Sequence, residues 1–295
     1  MSIRIFVILF LSSFAMSAIA EREHVDQTMK AAPDGFVQIN VVRGDLRVEG
    51  WDKNEIHVEG KLDESTKEFI FDVNGNDAII EVRIEQSDRR WWGQDSEPSD
   101  LVIRVPEGSS LDVSVVSTDV TVGNVLGGLD VNAVSGDLNV DKIRERVDLQ
   151  TVSGDVDLRD AAGRIRVRTV SGDVKSVKTD GQSIYSSVSG DLEVDDGGED
   201  IEAQTVSGDV IIGSTEYLTV RGHTVSGDVE IDGIFLAGGA IEFDSVSGSI
   251  GLAMGPRANA RFNLETGSGR IRNQLTSDKP RVSEYGRDQS LRFTA

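Results

Sequence analysis

The sequence predicts an all-β fold: a parallel β-solenoid of the β-helix or β-roll type, with coils of about 18 residues and a more irregular β region ahead of it. The first observation behind this is a repeat. Ser-Gly-Asp recurs at Ser135, Ser153, Ser171, Ser189, Ser207 and Ser226, at intervals of 18, 18, 18, 18 and 19 residues. A unit that short cannot enclose a core alone, so each must bury its apolar side against its neighbours. The second is period-2 alternation within the unit. Val156-Asp157-Leu158 and Ile165-Arg166-Val167-Arg168 set apolar against polar residues, as strands with one wet face do. The third is composition: the units are dense in Gly and β-branched residues and show no 3.6-residue apolar stripe, which excludes a helical array.

Taken in chain order, residues 1–20 read as a secretory signal, with Arg4 ahead of the apolar run Ile5 to Phe14 and the small-residue cleavage site Ala18-Ile19-Ala20. The run is too short to span a bilayer comfortably and no second segment of membrane length follows, so an exported mature chain without a transmembrane segment is expected. Residues 21–98 form an N-terminal β region whose segment Val41 to Val48 is a degenerate first coil with a Gly44-Asp45 corner. Residues 99–295 form the repeat domain. One core column is expected from Val120, Leu138, Val156, Val174, Leu192, Val210, Val229 and Ile250, and a second from Leu129, Val147, Ile165 and Ile201. Parity breaks at Thr169-Val170, where both neighbours are expected to be buried. A bulge or corner is placed there, with the triplet glycine, as at Gly154, relaxing the backbone just after it. Degenerate copies extend the array: Ser117-Thr118-Asp119 before it, and Ser247-Gly248-Ser249 and Ser268-Gly269-Arg270 after it, at steps of 21.

The Ser-Gly-Asp array, the Gly50-Trp51-Asp52 turn with the strand Glu55 to Gly60, and Val102-Ile103-Arg104-Val105-Pro106 together resemble a bacterial family of β-strand-repeat domains of unknown function. This putative-adhesin family carries Val-Ser-Gly-Asp-Val repeats on a β-solenoid, and the resemblance runs from Phe36 to Ala295. It implies a location at the cell envelope or surface. Some relatives are associated with envelope-stress regulators, and many continue into a further coil after a strand like Ser290 to Ala295. An open C-terminal end is therefore expected, and with it end-to-end self-association through unpaired backbone groups.

There are no cysteines, so stability must come from stacked burial rather than disulfides. The net charge of −21, which becomes −22 once Arg4 leaves with the signal, is spread along the repeats. That disfavours nucleic acid and bare anionic lipid, and suits cations or a basic partner.

The constellation nearest to chemistry is the column Asp119, Asp137, Asp155, Asp173, Asp191, Asp209 and Asp228. Unit charges stacked about 4.8 Å apart repel by roughly 1 kcal/mol in water and by several times that near a protein surface, so something must compensate. One reading has each carboxylate accepting backbone N–H groups at its corner. The other is a row of Ca²⁺ sites, Ca²⁺ being the hard ion for carboxylate oxygens and the one cofactor to consider. Each unit divides into two nine-residue halves like the Ca²⁺-binding nonapeptide roll, but the Asp occurs in one half only and the glycines are too few. A hydroxyl column, Thr151, Thr169, Ser187, Thr205, Thr224 and Ser245, is expected inside the coil as a ladder rather than outside as an ice-binding array. Arg43-Gly44-Asp45 spells an integrin-binding tripeptide but occupies a corner position. Arg89-Arg90-Trp91-Trp92-Gly93 is a basic aromatic loop; Trp91 and Trp92 are candidates for stacking on a ligand or for covering an open solenoid end.

Enzyme chemistry is not indicated. His24, His57 and His223 are scattered, and no nucleophile elbow, metal-spaced His pair or phosphate loop is present. Paired carboxylates for cleaving a polysaccharide do not stand out from the periodic background. The reading that follows is an exported, non-enzymatic β-solenoid that binds an envelope or extracellular protein or glycan, as an adhesin. The alternative is a periplasmic structural or stress-response accessory protein of the envelope.

Overall fold

The computed structural model describes residues 23–84, 97–254, 260–266, 271–273, 276–283 and 288–294, all of them in strands or their connections. The signal segment and the Trp91-Trp92 loop lie outside the described residues.

The array is a parallel β-solenoid. In the regular coil Val156–Ser171, Val156 to Ala161 pair with Leu138–Ile143 on one face of the coil and Arg164 to Ser171 pair with Arg146–Ser153 on the other. The same positions pair from coil to coil without slippage: Leu138 with Val156, Val156 with Val174, Val174 with Leu192, and onward through Val210 and Val229 to Ile250. Both expected core columns are buried throughout.

Two corners turn each coil. At the triplet, glycine adopts a positive φ, +135° at Gly154 and +146° at Gly172, and a Cβ at Gly172 would lie 2.1 Å from the carbonyl oxygen of Gly154. A side chain is excluded at these positions, because the backbones of successive coils are stacked directly on each other; Thr118 stands in the same column without the positive φ. The opposite corner places Asn124, Lys142, Asp160, Lys178 and Asp196 in the left-handed region, at φ of +48° to +58°. No fixed residue type marks it, since Asn, Asp and even Lys tolerate that conformation at modest cost.

At the N-terminal end, spatial order departs from chain order. The coil Phe36–Trp51 pairs on one side with Ser110–Val125 and on the other with a coil built from Asp77–Ile84 and Ser99–Pro106. Beyond that coil the strands reverse: Thr66–Asn74 runs antiparallel to Asp77–Ile84, Glu55–Lys61 antiparallel to Ser99–Pro106, and His24–Lys30 antiparallel to Glu55–Lys61.

The C-terminal end also closes by reversal on one face, where Gln289–Thr294 runs antiparallel to Ala260–Thr266. The period lengthens here, and the core changes residue type. Register shifts at Gly213/Glu216 and Tyr217/Thr219 admit extra residues. Aromatic rings replace the aliphatic columns: Tyr217 lies 5.1 Å from Phe235, Phe235 lies 6.1 Å from Phe262, and Phe262 stacks on Phe293 at 4.3 Å. Bulk is balanced along one column, where a Cβ at Gly222 would meet the Phe243 ring at 2.3 Å. Burying the Tyr185 side chain needs partners for its hydroxyl, and Ser176 supplies one at 2.7 Å.

Candidate functional surface

The corner carboxylates are structural partners of the backbone. The N–H of Asp155 donates to Oδ1 of Asp137 at 2.9 Å, that of Asp173 to Asp155 at 2.8 Å, and the chain continues from Asp119 to Asp228, whose Oδ1 accepts from Ser249 at 2.8 Å. The coil bends away at the triplet, so this N–H has no strand carbonyl to reach, and the side chain one coil back substitutes for it. Among the described residues no group of three or more His, Cys, Asp or Glu is placed to hold a metal ion.

Arg43-Gly44-Asp45 is likewise a corner. Gly44 has a φ of +121° with Ser99 packed against it, Asp45 registers with Asp119, and Arg43 forks onto the buried carboxylate of Asp63, with Nη2 to Oδ1 at 2.8 Å. His57 bonds Thr28 at 2.8 Å and Glu59 at 3.1 Å, away from His223 on a different coil.

The pair Thr169-Val170 corrects the sequence reading. The strand keeps strict alternation through it, with Ile165, Val167 and Thr169 inside and Arg164, Arg168 and Val170 outside; parity changes afterwards, across Ser171-Gly172-Asp173. Thr169 is therefore buried while Val170 is 47% exposed. The same holds coil after coil. Val116, Val134, Val152, Val170, Val188, Val206, Val225 and Val246 form an outer valine stripe, each 37–51% exposed. At strand spacing the stripe is about 34 Å long.

The hydroxyl column is inside, as expected, but it is not a hydrogen-bonded ladder. Thr169, Ser187, Thr205, Thr224 and Ser245 have no protein hydrogen-bond partner for their buried hydroxyls. Rungs about 4.8 Å apart are too distant for hydroxyl to reach hydroxyl, which needs 2.5–3.0 Å. At this corner, hydroxyls face the core and methyl groups face water.

The remaining outer surface is mostly polar. A groove of about 490 Å³ opens over Gly123 between Arg47 and Arg159, whose guanidiniums are tied to carboxylates on their own strands, Glu49 at 3.0 Å and Asp157 at 2.8 Å. It is consequently close to charge-neutral. The acidic surface is strained in places: burial, then repulsion from Asp148 and Asp112, pushes the Asp130 carboxyl above its ordinary value. Burial, then Glu265 and Glu242, does the same to Asp244. Among the described residues no helix is long and apolar enough to cross a membrane.

Sequence reasoning located the corner and both inner columns but missed the valine stripe. Its signal was present: an unbroken alternation from Arg164 to Val170 assigns Val170 outward, whatever its hydrophobicity.

No curated protein matches the chain. Among solved structures it is similar to a putative adhesin from Bacteroides fragilis, at 16% identity and a TM-score of 0.45 over 79% of this chain and 98% of that one. It is also similar to a putative adhesin from Parabacteroides distasonis, at 11% identity and a TM-score of 0.43, with the same coverage. A putative cell adhesion protein from Clostridium sporogenes aligns at 10% identity and a TM-score of 0.28, over 79% of this chain and all of that one. The sequence model of the Toastrack domain family DUF4097 matches residues 37–238, the span from the first coil through the regular array, and the chain belongs to that family.

Proposed function

We propose that this protein is an exported, non-enzymatic binding protein of adhesin type, a rigid rod whose valine stripe docks a partner in the cell envelope or outside it. The observation that carries the reading is the inverted corner. Folding alone favours the opposite arrangement, because an unpartnered buried hydroxyl costs about 1–3 kcal/mol and a valine gains nothing by standing in water. Sequences depart from such local rules chiefly at functional sites. A stripe repeated over eight coils also exceeds the scatter of single apolar residues found on any surface. The flanking Asp column gives the surface a negative edge, which suits a partner with basic groups beside an apolar ridge.

The reading is tested by displaying the protein on non-adherent cells and measuring attachment to host or neighbouring-cell surfaces. Attachment lost in a Val152→Thr/Val170→Thr/Val188→Thr variant is expected. No attachment by the parent, together with increased detergent sensitivity of cells lacking the protein, would replace adhesion with an accessory role in the periplasmic envelope.

A further inference from the structure

One coil reverses the charge of this acidic chain. On the second half of strand Val156–Ser171, the outward positions Arg164, Arg166 and Arg168 are three arginines in a row along the strand. On one side they register with Arg146, Asp148 and Gln150, and on the other with the uncharged Gln182, Ile184 and Ser186. Carboxylates return one coil further on, at Asp200 and Glu202. The result is a cationic strip about 14 Å long, bounded on one side by neutral residues.

Asp148 lies beside the strip, on the neighbouring coil in register with Arg166, and is 3% exposed. Its carboxylate is shared by Arg146 at 3.3 Å, Arg166 at 3.4 Å and Arg168 at 3.8 Å, with Gln150 at 3.3 Å. A single bidentate arginine would neutralise it. Three share it instead, all at long distance, and each guanidinium has five donors, so most of those donors point elsewhere. Arg164 makes no ion pair among the described residues. Asp148 is thus a covered counter-charge on which Arg146, Arg166 and Arg168 converge; Arg146 also reaches Asp130 at 3.3 Å, and Arg164, Arg166 and Arg168 together keep a net positive charge against the one shared carboxylate.

We propose that Arg164, Arg166 and Arg168, positioned by Asp148, form a binding site for a short oligoanion whose phosphate or carboxylate groups lie along the strand. Arginine forks match both oxyanions, and the neutral row at Gln182 and Ile184 leaves space beside them. The site is independent of the valine stripe and does not require adhesion.

The test is titration of the full protein with tripolyphosphate, trigalacturonate and neutral maltotriose at low salt, followed by calorimetry. At least one oligoanion is expected to bind, weakening with added salt, while maltotriose does not; the responding arm separates phosphate from carboxylate recognition. Arg164→Gln/Arg166→Gln/Arg168→Gln should weaken binding at least tenfold, with a lowered melting temperature because Asp148 loses two of its partners. Arg164→Gln alone, which removes no internal ion pair, should weaken it severalfold if the triple variant does not fold. Binding equal in parent and Arg164→Gln, or no binding of either oligoanion, would overturn the proposal.

Discussion

Two neighbouring columns of the same corner differ by one residue in sequence and by nearly everything in environment. The Thr169 column holds hydroxyls in the core, most without partners, while the Val170 column holds methyl groups in water along the length of the rod. Strand parity assigns these places, and hydrophobicity does not overrule it, because a one-residue slip would turn every core valine and leucine of the coil outward. The inner column bears the energetic cost of that assignment. The outer column presents an apolar ridge on an otherwise polar, acidic surface.

The strongest way to break both columns is to break the corner that holds them. Gly172→Ala would place a Cβ 2.1 Å from a backbone carbonyl at a φ of +146°, and a loss of roughly 2–4 kcal/mol in chemical denaturation is expected. Lys178→Gly, at the opposite corner with a φ of +57°, should instead stabilise by up to about 1 kcal/mol, because glycine adopts the left-handed conformation without the cost that a Cβ imposes, less its greater unfolded-state entropy.

Exchanging the columns sharpens the comparison. Thr169→Val/Val170→Thr restores apolar-in and polar-out with near-isosteric side chains, and should raise stability by about 1–2 kcal/mol by removing a buried hydroxyl that lacks a partner. Equal or lower stability would mean that the inner hydroxyls are satisfied by internal water.

Next in size is the carboxylate beside the stripe. Asp173→Ala removes the acceptor for the Asp191 N–H, 2.8 Å away, and should cost about 1 kcal/mol, while Asp173→Asn keeps the acceptor and relieves like-charge repulsion at no loss. Because each such oxygen already holds a backbone N–H, the thermal melt should be the same in Ca²⁺ and in EDTA; a large upward shift in Ca²⁺ would make the column an ion-binding one.

The smallest expected effect is electrostatic. Asp130 has its folded carboxyl raised by burial, then by Asp148 and Asp112, so the folded state binds the proton more tightly than the unfolded one. Its contribution therefore becomes more favourable as pH falls from neutral toward that raised value. Asp130→Asn should stabilise at pH 7 by less than about 0.5 kcal/mol, and the gain should vanish in acid.

The tight corner was legible in the sequence because its positive φ and close backbone stacking call for glycine in coil after coil, so six successive triplets advertise the fold. The opposite corner was not, since Asn124, Lys142 and Asp160 adopt the same backbone with different side chains. The interleaving of Phe36–Trp51 between later strands was equally invisible. Each coil carries the same apolar alternation, and nothing in one strand specifies which other strand lies beside it. The arginine strip escaped notice for a different reason: Arg164, Arg166 and Arg168 sit at the polar positions of an amphipathic strand, where charge is expected. Only the register with Asp148 and Ile184 shows that no carboxylate faces them on one side.

The most direct test of the docking surface is a quantitative pull-down of the purified protein on isolated cell envelopes and on intact target cells, comparing parent with Val152→Thr/Val170→Thr/Val188→Thr. The three substitutions keep shape and strand preference, and each should change stability by no more than about 0.5 kcal/mol. Binding reduced at least tenfold at an unchanged melting temperature is the predicted result. Undiminished binding by a folded variant would show that the valine stripe is not the surface this protein uses.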